Sequence, residues 1–499
     1  MGAAPDDIEV IENTYHTSDL TAIIHFQYTS VVAKLEDLIA AGGNAWVACT
    51  SKAQADALAD HLRDRFPDMR MLCVTRDNSQ SDEVRDLLDA EGCPGFAAFQ
   101  VVIASPAIST GVSVDIKHFD QIFGFGRAGS VTATEFVQML RRVRTVRQKT
   151  IHLHLGLASS GTLTEDASEL SADEEKVAHE LHLQVDLDYA VSPSARAYIH
   201  VWAMRKALRN RSHNFFRFHT MELLAGEGIT VQQATEIISS QRLEETNTKF
   251  KSARQRVRDE HIERILAAED VPPDLALSLK DQPNLTPMDR AIVERAWITK
   301  FYGRTPDRIL VEEHVEHRLQ GRLANFRDLY DLAGTEAFDR GEIANGIPEP
   351  HRQYRSLAQR LTVEILEVSG IGLDFQGAVD RVAWRTWLEA HHSRLPRVLR
   401  VQVGERLARN QELQVLGTVL RRVGQQFQNP RQDKATGLRT YRIDLDRLGF
   451  MTNLLASHCA AKFTESAEWV VHSPVVTANL IPFRSQITLA VTGPHGISA

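Results

Sequence analysis

Short apolar runs alternate with stretches of helical periodicity between Val31 and Leu155, and this alternation limits the possible folds more than any other feature of the chain. Strands that alternate with helices in this way form βαβ units, in which parallel strands make one sheet and helices cover its faces. The sequence therefore predicts a parallel α/β domain. The predicted strands are Ala45–Cys49, Met71–Val74, Val101–Ala104, Gln121–Phe123 and Ile151–Leu155.

Helix starts are predicted after two of these strands. In Ser51–Gln54 and in Thr132–Glu135, a hydroxyl residue stands three positions before Gln or Glu. This is the capping-box pattern, which satisfies free backbone N–H groups at a helix start. In parallel sheets, ligands bind beyond the carboxyl ends of the strands. We therefore expect functional residues in the loops after Cys49, Ala104 and Phe123.

Beyond Leu155 the pattern changes. Apolar residues recur at helical spacing over 159–395, which predicts a mostly α-helical region. Residues 396–465 show the order helix, hairpin, helix, which predicts a small winged-helix-like module, and 466–499 is expected to be a loosely ordered tail. The 499 residues allow about three domains, and 43% hydrophobic with 24% charged residues exclude disorder for most of the chain.

Charge is distributed unevenly along the chain. The whole chain carries a formal charge of −8, yet 11 Arg and Lys residues stand against only 3 acidic residues between Arg394 and Arg442. A basic stretch within an acidic chain favours a site for a polyanion such as DNA. The alternative is a solvated, arginine-rich helix face.

Cysteine usage and hydropathy indicate the compartment. The four cysteines lie far apart without a C-x-x-C pair, which excludes a disulfide framework or a zinc ribbon and fits a reducing cytoplasm. The histidines lack metal-ligand spacing, so no metal site is predicted. The N-terminal residues contain no apolar signal segment, and Val470–Val491 is interrupted by Pro474, Pro482 and Arg484. We therefore expect a cytoplasmic protein without a transmembrane helix.

Two motifs suggest activities that their surroundings do not support. Gly124–Gly129 has the G-x-G-x-x-G spacing of dinucleotide sites, but Gln148, Lys149 and Thr150 stand where an acid should bind the ribose. Turn glycines are favoured over an oxidoreductase site. Asp259–Ile262 matches D-E-x-H, but the charged residues around it indicate a solvated helix. The chain also lacks G-x-x-x-x-G-K-[ST], so it cannot by itself be a complete P-loop ATPase.

Two polar constellations follow the predicted strands. The loop after Ala104 offers the hydroxyls of Ser109 and Thr110 beside Gly111, which permits close backbone approach to a ligand. The segment Gln138–Arg144, placed in the next predicted helix, carries one glutamine and three arginines within two turns. Guanidinium groups suit phosphate oxygens, and the alternative is a set of surface salt bridges.

The order of these elements resembles the second RecA-like domain of superfamily 2 helicases over about residues 10–155. Ala45–Lys52 resembles the strand and loop that open that domain, Ala104–Val114 resembles motif V, and Gln138–Arg144 resembles motif VI in a Q-x-x-x-R-x-R form. The pattern is similar to helicases of the herpesvirus origin-binding type and to the RepA-like plasmid replication proteins of cyanobacteria. Motif V departs from many members at Ser113, where they carry an acid.

The resemblance implies roles for single residues. Residues 31–158 would be a RecA-like domain, and 1–30 would link it to a first RecA-like domain that is missing from this chain. ATP and magnesium would be bound mainly by that first domain. Arg142 would be the catalytic finger on the γ-phosphate, with Arg144 beside it. Further ATP contacts are implied for Gln138, Arg141 and Gly111. Contacts with DNA are implied for Thr50, Ser51, Ser109, Thr110, Arg421, Arg422 and Arg439.

The leading hypothesis is therefore the C-terminal half of a DNA helicase for plasmid or origin replication. Its partners would be DNA and a separate chain or upstream segment that carries the first RecA-like domain. The alternative is a non-enzymatic DNA-binding replication or regulatory protein that keeps a degenerate RecA-like scaffold. The helicase hypothesis requires that neither Arg142 nor Arg144 is neutralised by carboxylates of this chain.

Overall fold

The computed structural model describes residues 19–108, 112–129, 131–156, 163–188, 192–236, 238–280, 282, 284–404, 406–432 and 439–465. The predicted tail, 466–499, lies outside the described residues, as do 1–18 of the predicted linker. The chain divides into two compact units. The first comprises Met1–Leu163, Leu208–His261 and Gln282–Pro287, and the second comprises Thr164–Ala207, Ile262–Asp281 and Met288–Ala499.

A seven-stranded parallel sheet forms the centre of the first unit. Its strands are β1 (Thr21–His25), β2 (Ala45–Cys49), β3 (Met71–Val74), β4 (Val101–Ala104), β5 (Gln121–Gly126), β6 (Thr150–Leu155) and β7 (Thr230–Gln233). They are arranged in the order β3-β4-β2-β5-β6-β1-β7. The predicted parallel α/β fold is confirmed. The sheet also extends beyond its predicted boundaries, because β1 lies within 1–30 and β7 lies within 159–395.

Helices connect the strands and cover the sheet. The first four are α1 (Tyr28–Ala40), α2 (Lys52–Arg65), α3 (Asp82–Asp89) and α4 (Ala133–Leu140), with a short 3-10 helix at Pro94–Ala98. Both predicted helix starts are present: the Ser51 side chain accepts the backbone N–H of Gln54, and Thr132 forms a reciprocal capping box with Glu135. Trp46 of β2 is fully buried, and its indole N–H donates to the Met139 carbonyl at 3.2 Å.

The glycines of the G-x-G-x-x-G sequence have a packing role. Gly124 and Gly126 lie within β5 and not in a turn, which corrects the turn-glycine interpretation. A Cβ on Gly124 would lie 2.8 Å from Leu140 Cδ2, and one on Gly126 would lie 2.7 Å from Phe136 Cε1. Both contacts are shorter than packed carbon atoms allow. Glycine at these two positions therefore lets α4 pack closely on β5.

The rest of the described chain is mostly helical, as predicted. Its helices are α5 (Ala167–Gln184), α6 (Pro193–Asn214), α7 (Phe216–Gly226), α8 (Ser240–Ala267), α9 (Pro273–Leu279), α10 (Pro287–Tyr302), α11 (Arg308–His317), α12 (Leu319–Asp328), α13 (Leu332–Ala344), α14 (Arg355–Val368), α15 (Arg381–His391), α16 (Gln411–Arg422) and α17 (Leu445–Glu465). A 3-10 turn at Glu349–His351 and a π-helical turn at Leu395–Leu399 connect some of them. Asp259–Ile262 lies within α8, in agreement with the solvated-helix interpretation.

The second unit ends in the predicted order of helix, hairpin and helix. Between α16 and α17, the strands β8 (Arg431–Gln432) and β9 (Arg439–Thr440) pair antiparallel, and the connecting residues 433–438 lie outside the described part. Trp384 of α15 is fully buried, and its indole N–H donates to the Glu412 carbonyl of α16 at 2.7 Å. Within the described ranges, no helix combines the length and the apolarity needed to cross a lipid bilayer.

Candidate functional site

The arginines of Gln138–Arg144 lie beyond the end of α4, not inside it. The helix ends at Leu140, because Val143 forms a parallel bridge with Val114. In this bridge the Val114 N–H donates to the Arg142 carbonyl at 2.8 Å, and the Arg144 N–H donates to the Val114 carbonyl at 3.0 Å. The prediction of a helix through Arg144 is therefore wrong. The bridge connects the segment after β4 directly to the arginine segment.

Arg142 and Arg144 flank the bridge residue Val143 and interact through their charges. Val143 itself is buried in the core of the first unit. Gln138 is exposed on α4, and the turn at Arg141 separates it from the bridge.

Arg142 is held in place without a carboxylate partner. Its Nη1 donates to the Val112 carbonyl at 3.0 Å, and its buried Nε has no hydrogen-bond partner among the described residues. Burial and the neighbouring charge of Arg144 lower the pKa of Arg142. A guanidinium group whose proton affinity is lowered by burial and by a neighbouring cation is stabilised when an anion binds beside it. The surroundings of Arg142 therefore favour an anion such as phosphate.

Arg144 is exposed and linked to the segment after β4. Its Nε donates to Ser113 Oγ at 3.1 Å, and Ser113 Oγ donates to Asp115 Oδ1 at 2.9 Å. Within the described residues, neither Arg142 nor Arg144 forms an ion pair with a carboxylate. The condition that the helicase hypothesis sets for these two arginines is therefore met in this part of the chain.

The other predicted ATP contacts have different positions. Arg141 forms an ion pair with Glu227 at 3.0 Å, which fixes it against the end of α7. This pairing is the surface salt bridge that the sequence left open as an alternative for the arginines. Gly111 lies outside the described residues, together with Ser109 and Thr110, so the structure does not place the motif V loop.

Thr50 and Ser51 have structural partners within the first unit. Thr50 is 2% exposed, and its hydroxyl accepts the backbone N–H of Arg127 at 3.1 Å, which joins the segment after β2 to the segment after β5. Ser51 caps α2 by accepting the Gln54 N–H at 3.3 Å, as a helix start requires. A contact of either residue with DNA stays a prediction.

The predicted DNA-binding arginines of 396–465 fall into two groups. Arg421 and Arg439 are exposed, and Arg421 makes a local hydrogen bond to Thr418. Arg422 is half-buried and donates from Nη1 to the Leu399 carbonyl at 2.6 Å. Burial and the charge of Arg400 lower the pKa of Arg422. Arg422 is therefore held by a contact within the module, and its predicted contact with DNA stays a prediction.

Sequence reasoning missed a basic and aromatic surface where α6 meets α7. We define this α6–α7 surface by five residues: Arg209, Arg211, Phe215, Arg217 and Phe218. A signal was present in the sequence, because the stretch between Asp188 and Glu222 contains six Arg and Lys residues and no acid.

Comparisons with known proteins identify no activity. No family model matches the chain. A stretch of 191 residues, 35% of this chain, is 26% identical to an uncharacterized protein of Picosynechococcus sp.. The match spans 18% of the length of that relative, so the chain corresponds to a small part of it.

Proposed function

We propose that this chain is the C-terminal half of a DNA helicase that acts in plasmid or origin replication. In this proposal Arg142 and Arg144 complete an ATP site whose P-loop belongs to another domain or another chain. The observation that carries the proposal is the pair of neighbouring guanidinium groups on either side of the bridge residue Val143, without an ion pair to a carboxylate within the described residues. The resemblance of the sequence to motif VI gives the pair its assigned role.

The residues present suit the phosphates of ATP better than its magnesium. Arg142 offers an unpaired Nε, and Arg144 adds a second positive charge next to it. In phosphoryl transfer, an arginine of this kind stabilises the negative charge that develops on the γ-phosphate oxygens. Bound ATP and magnesium would supply the reacting phosphate, and both are assigned mainly to the other domain.

The contacts of Arg142 also suggest how DNA and nucleotide affect each other. Arg142 donates to the carbonyl of Val112, and Arg144 contacts Ser113. Both acceptors belong to the segment that follows β4, which resembles motif V. A shift of this segment on DNA would therefore move both guanidinium groups. This arrangement supports a coupling of DNA binding to ATP hydrolysis through direct contacts.

The experiment supplies the P-loop domain that this proposal assigns to another segment or another chain. The DNA upstream of Met1 is searched for an in-frame or frameshifted P-loop segment, which is then joined to this chain or co-expressed with it. We expect no ATP hydrolysis by the chain alone and DNA-stimulated hydrolysis by the joined protein. Arg142→Ala should then reduce kcat by about 10³-fold or more, as loss of an arginine finger does.

Arg147→Ala is the matched control. Arg147 lies in the same segment but is bonded to the Lys117 carbonyl and to Asp120, so kcat should stay within about two-fold of the parent, as for loss of a surface ion pair. Equal kcat for Arg142→Ala and the parent would overturn the proposal. ATP hydrolysis by the chain alone would also contradict it, and the absence of any upstream P-loop would favour the non-enzymatic scaffold.

A further inference from the structure

We propose that the α6–α7 surface binds single-stranded DNA by phosphate attraction together with base stacking. This inference goes beyond the proposed function, because it concerns a different surface and a binding activity that does not require ATP. Its two phenylalanines are well exposed: Phe215 by 50% and Phe218 by 67% of their surface. Large exposed aromatic rings are uncommon at the surface of a protein, since their burial is favourable.

The arginines of this surface are available for a ligand. Arg209 and Arg211 are exposed and Arg217 is half-exposed. Within the described residues none of the three forms an ion pair or a side-chain hydrogen bond. Helix α8 in the same unit differs, because Arg242 pairs with Asp37 and Arg256 pairs with Asp60. The α6–α7 surface therefore keeps its positive charge, and phosphate groups are its natural counterions.

The fold holds the two rings outward. Phe216, between Phe215 and Arg217 in sequence, is fully buried and packs on Phe136 with ring centres 5.9 Å apart. Ser212 accepts the backbone N–H of Ala133 at 2.7 Å, which attaches the end of α6 to the start of α4. With Phe216 fixed inside, Phe215 and Phe218 are directed to solvent. They are therefore presented by an ordered backbone and need little ordering on binding.

The location of this surface agrees with a binding role. Helix α4 begins after the carboxyl end of β5, and Ser212 contacts that first turn. The surface therefore lies at the carboxyl edge of the parallel sheet, where ligands of such sheets bind. Arg127 follows β5 at the same edge and is also exposed. Its cation lies at this edge of the sheet as well.

Exposed aromatic rings decide in favour of single strands over duplex DNA. Stacking on a side chain requires a base whose face is free, and bases in a duplex already stack on each other. A membrane surface is the competing occupant, because α6 also exposes the apolar residues Val201, Met204 and Leu208 before the α6–α7 surface. The vesicle titration below separates the two occupants. Two rings and three cations match a short length of single strand.

The test titrates the full chain, in the absence of ATP, into labelled oligothymidylate of about 20 nucleotides, which is long enough to cover one such site. Fluorescence anisotropy measures the binding. Stacking is worth about 1–3 kcal/mol per base, so Phe215→Ala with Phe218→Ala should weaken binding about 10-fold or more. Phe218→Trp should keep the affinity, and its fluorescence should change when the oligonucleotide binds. Arg209→Gln with Arg211→Gln should reduce the salt slope by about 1.4.

Matched controls are an exposed apolar residue and a paired arginine elsewhere in the chain. Ile309→Ala and Arg242→Gln should leave the affinity unchanged. Because the titration contains no ATP, its outcome is separate from that of the helicase proposal. Unchanged binding in the double phenylalanine variant would overturn the inference. So would an equal loss on duplex DNA, which indicates phosphate contact alone, or phenylalanine-dependent binding to anionic phosphatidylserine vesicles, which indicates a membrane surface. Thermal unfolding checks that each variant is folded.

Discussion

Two basic surfaces of this protein differ in whether exposed aromatic rings lie beside their arginines. On the module of residues 396–465, Arg406, Arg409, Arg439 and Arg442 are exposed. Three aromatic residues of that module are partly buried: Phe427 and Tyr441 pack edge to face at 5.9 Å, and Phe450 lies under the Arg447 guanidinium. The α6–α7 surface combines unpaired arginines with two exposed rings. The module therefore offers charge alone, whereas the α6–α7 surface offers charge and stacking.

This difference separates affinity from selectivity. Attraction to phosphate acts on the charged backbone of single strands and of duplexes, and it is stronger for a duplex because the charge density is higher. Exposed aromatic rings add binding energy only for unpaired bases. We therefore expect the module to prefer duplex DNA, with its higher charge density, and the α6–α7 surface to prefer single strands. A motor that separates strands requires both properties.

The largest expected effect is on duplex binding by the module. Arg439→Glu with Arg442→Glu replaces two cations by two anions and should weaken duplex binding about 100-fold at low salt, with a shallower salt slope. Oligothymidylate binding should fall much less, because the α6–α7 surface is intact. Parallel anisotropy titrations with the two probes measure this.

A change of net charge alone must be separated from this effect. Lys251→Glu with Lys280→Glu makes the same change of charge at exposed positions outside both surfaces and should leave duplex binding near that of the parent. If the arginine variant loses no more affinity than this control, the module is only a solvated arginine-rich face.

A smaller effect is expected from Gly126→Val, which disturbs the packing of the buried Phe216 beneath the α6–α7 surface. The new Cβ would lie 2.7 Å from Phe136 Cε1 and 2.9 Å from Phe216 Cε1. Such overpacking costs about 1–3 kcal/mol, which should lower the Tm of the first unit and weaken oligothymidylate binding. Gly226→Ala on α7 meets no atom within 4 Å and should leave both unchanged. An unaltered Tm for Gly126→Val would show that Phe216 does not fix this surface.

The sequence allowed the parallel sheet to be predicted wherever a strand is apolar on both faces. β2 and β4 are fully buried and were predicted to the residue. β7 was missed because it is an edge strand whose residues Thr230–Gln233 are mostly polar and exposed. No apolar pattern marks such a strand, since only its pairing with β1 forms it.

The sequence identified the arginines of the candidate site, but it did not predict their backbone conformation or their partners. Val137, Leu140 and Val143 continue a helical spacing, but Val143 pairs with Val114, a contact between distant segments that spacing cannot reveal. Arg141 and Arg142 are neighbours in sequence, yet only Arg141 meets a carboxylate, from Glu227 on another helix. Which arginine is neutralised depends on such tertiary contacts, so it could not be inferred from the chain alone.

The smallest expected effect is the pH dependence of stability that two buried histidines give to the unit carrying the α6–α7 surface. His25 and His152 are buried, and His25 Nε2 lies 3.0 Å from His152 Nδ1. Burial is the main cause that lowers the pKa of each from 6.5 to about 4; Lys34 and neighbouring histidines lower it further, and Glu236 opposes them. A lowered pKa in the folded state means that the neutral pair stabilises the fold above about pH 6.5, and that this contribution is lost as the pH falls towards 4.

Between about pH 7 and pH 6, the first unit should therefore lose about 1 kcal/mol of unfolding free energy. Denaturant unfolding at several pH values measures the loss, with oligothymidylate and duplex binding followed in parallel. His25→Gln with His152→Gln removes these two groups and should reduce the dependence, whereas His154, whose pKa is also lowered by burial, remains. Since the module belongs to the second unit, its duplex binding should not follow the histidine substitutions. An equal response of both binding activities to the double variant would mean that the two surfaces do not unfold independently, and the contrast between them would then have to be explained by one shared site.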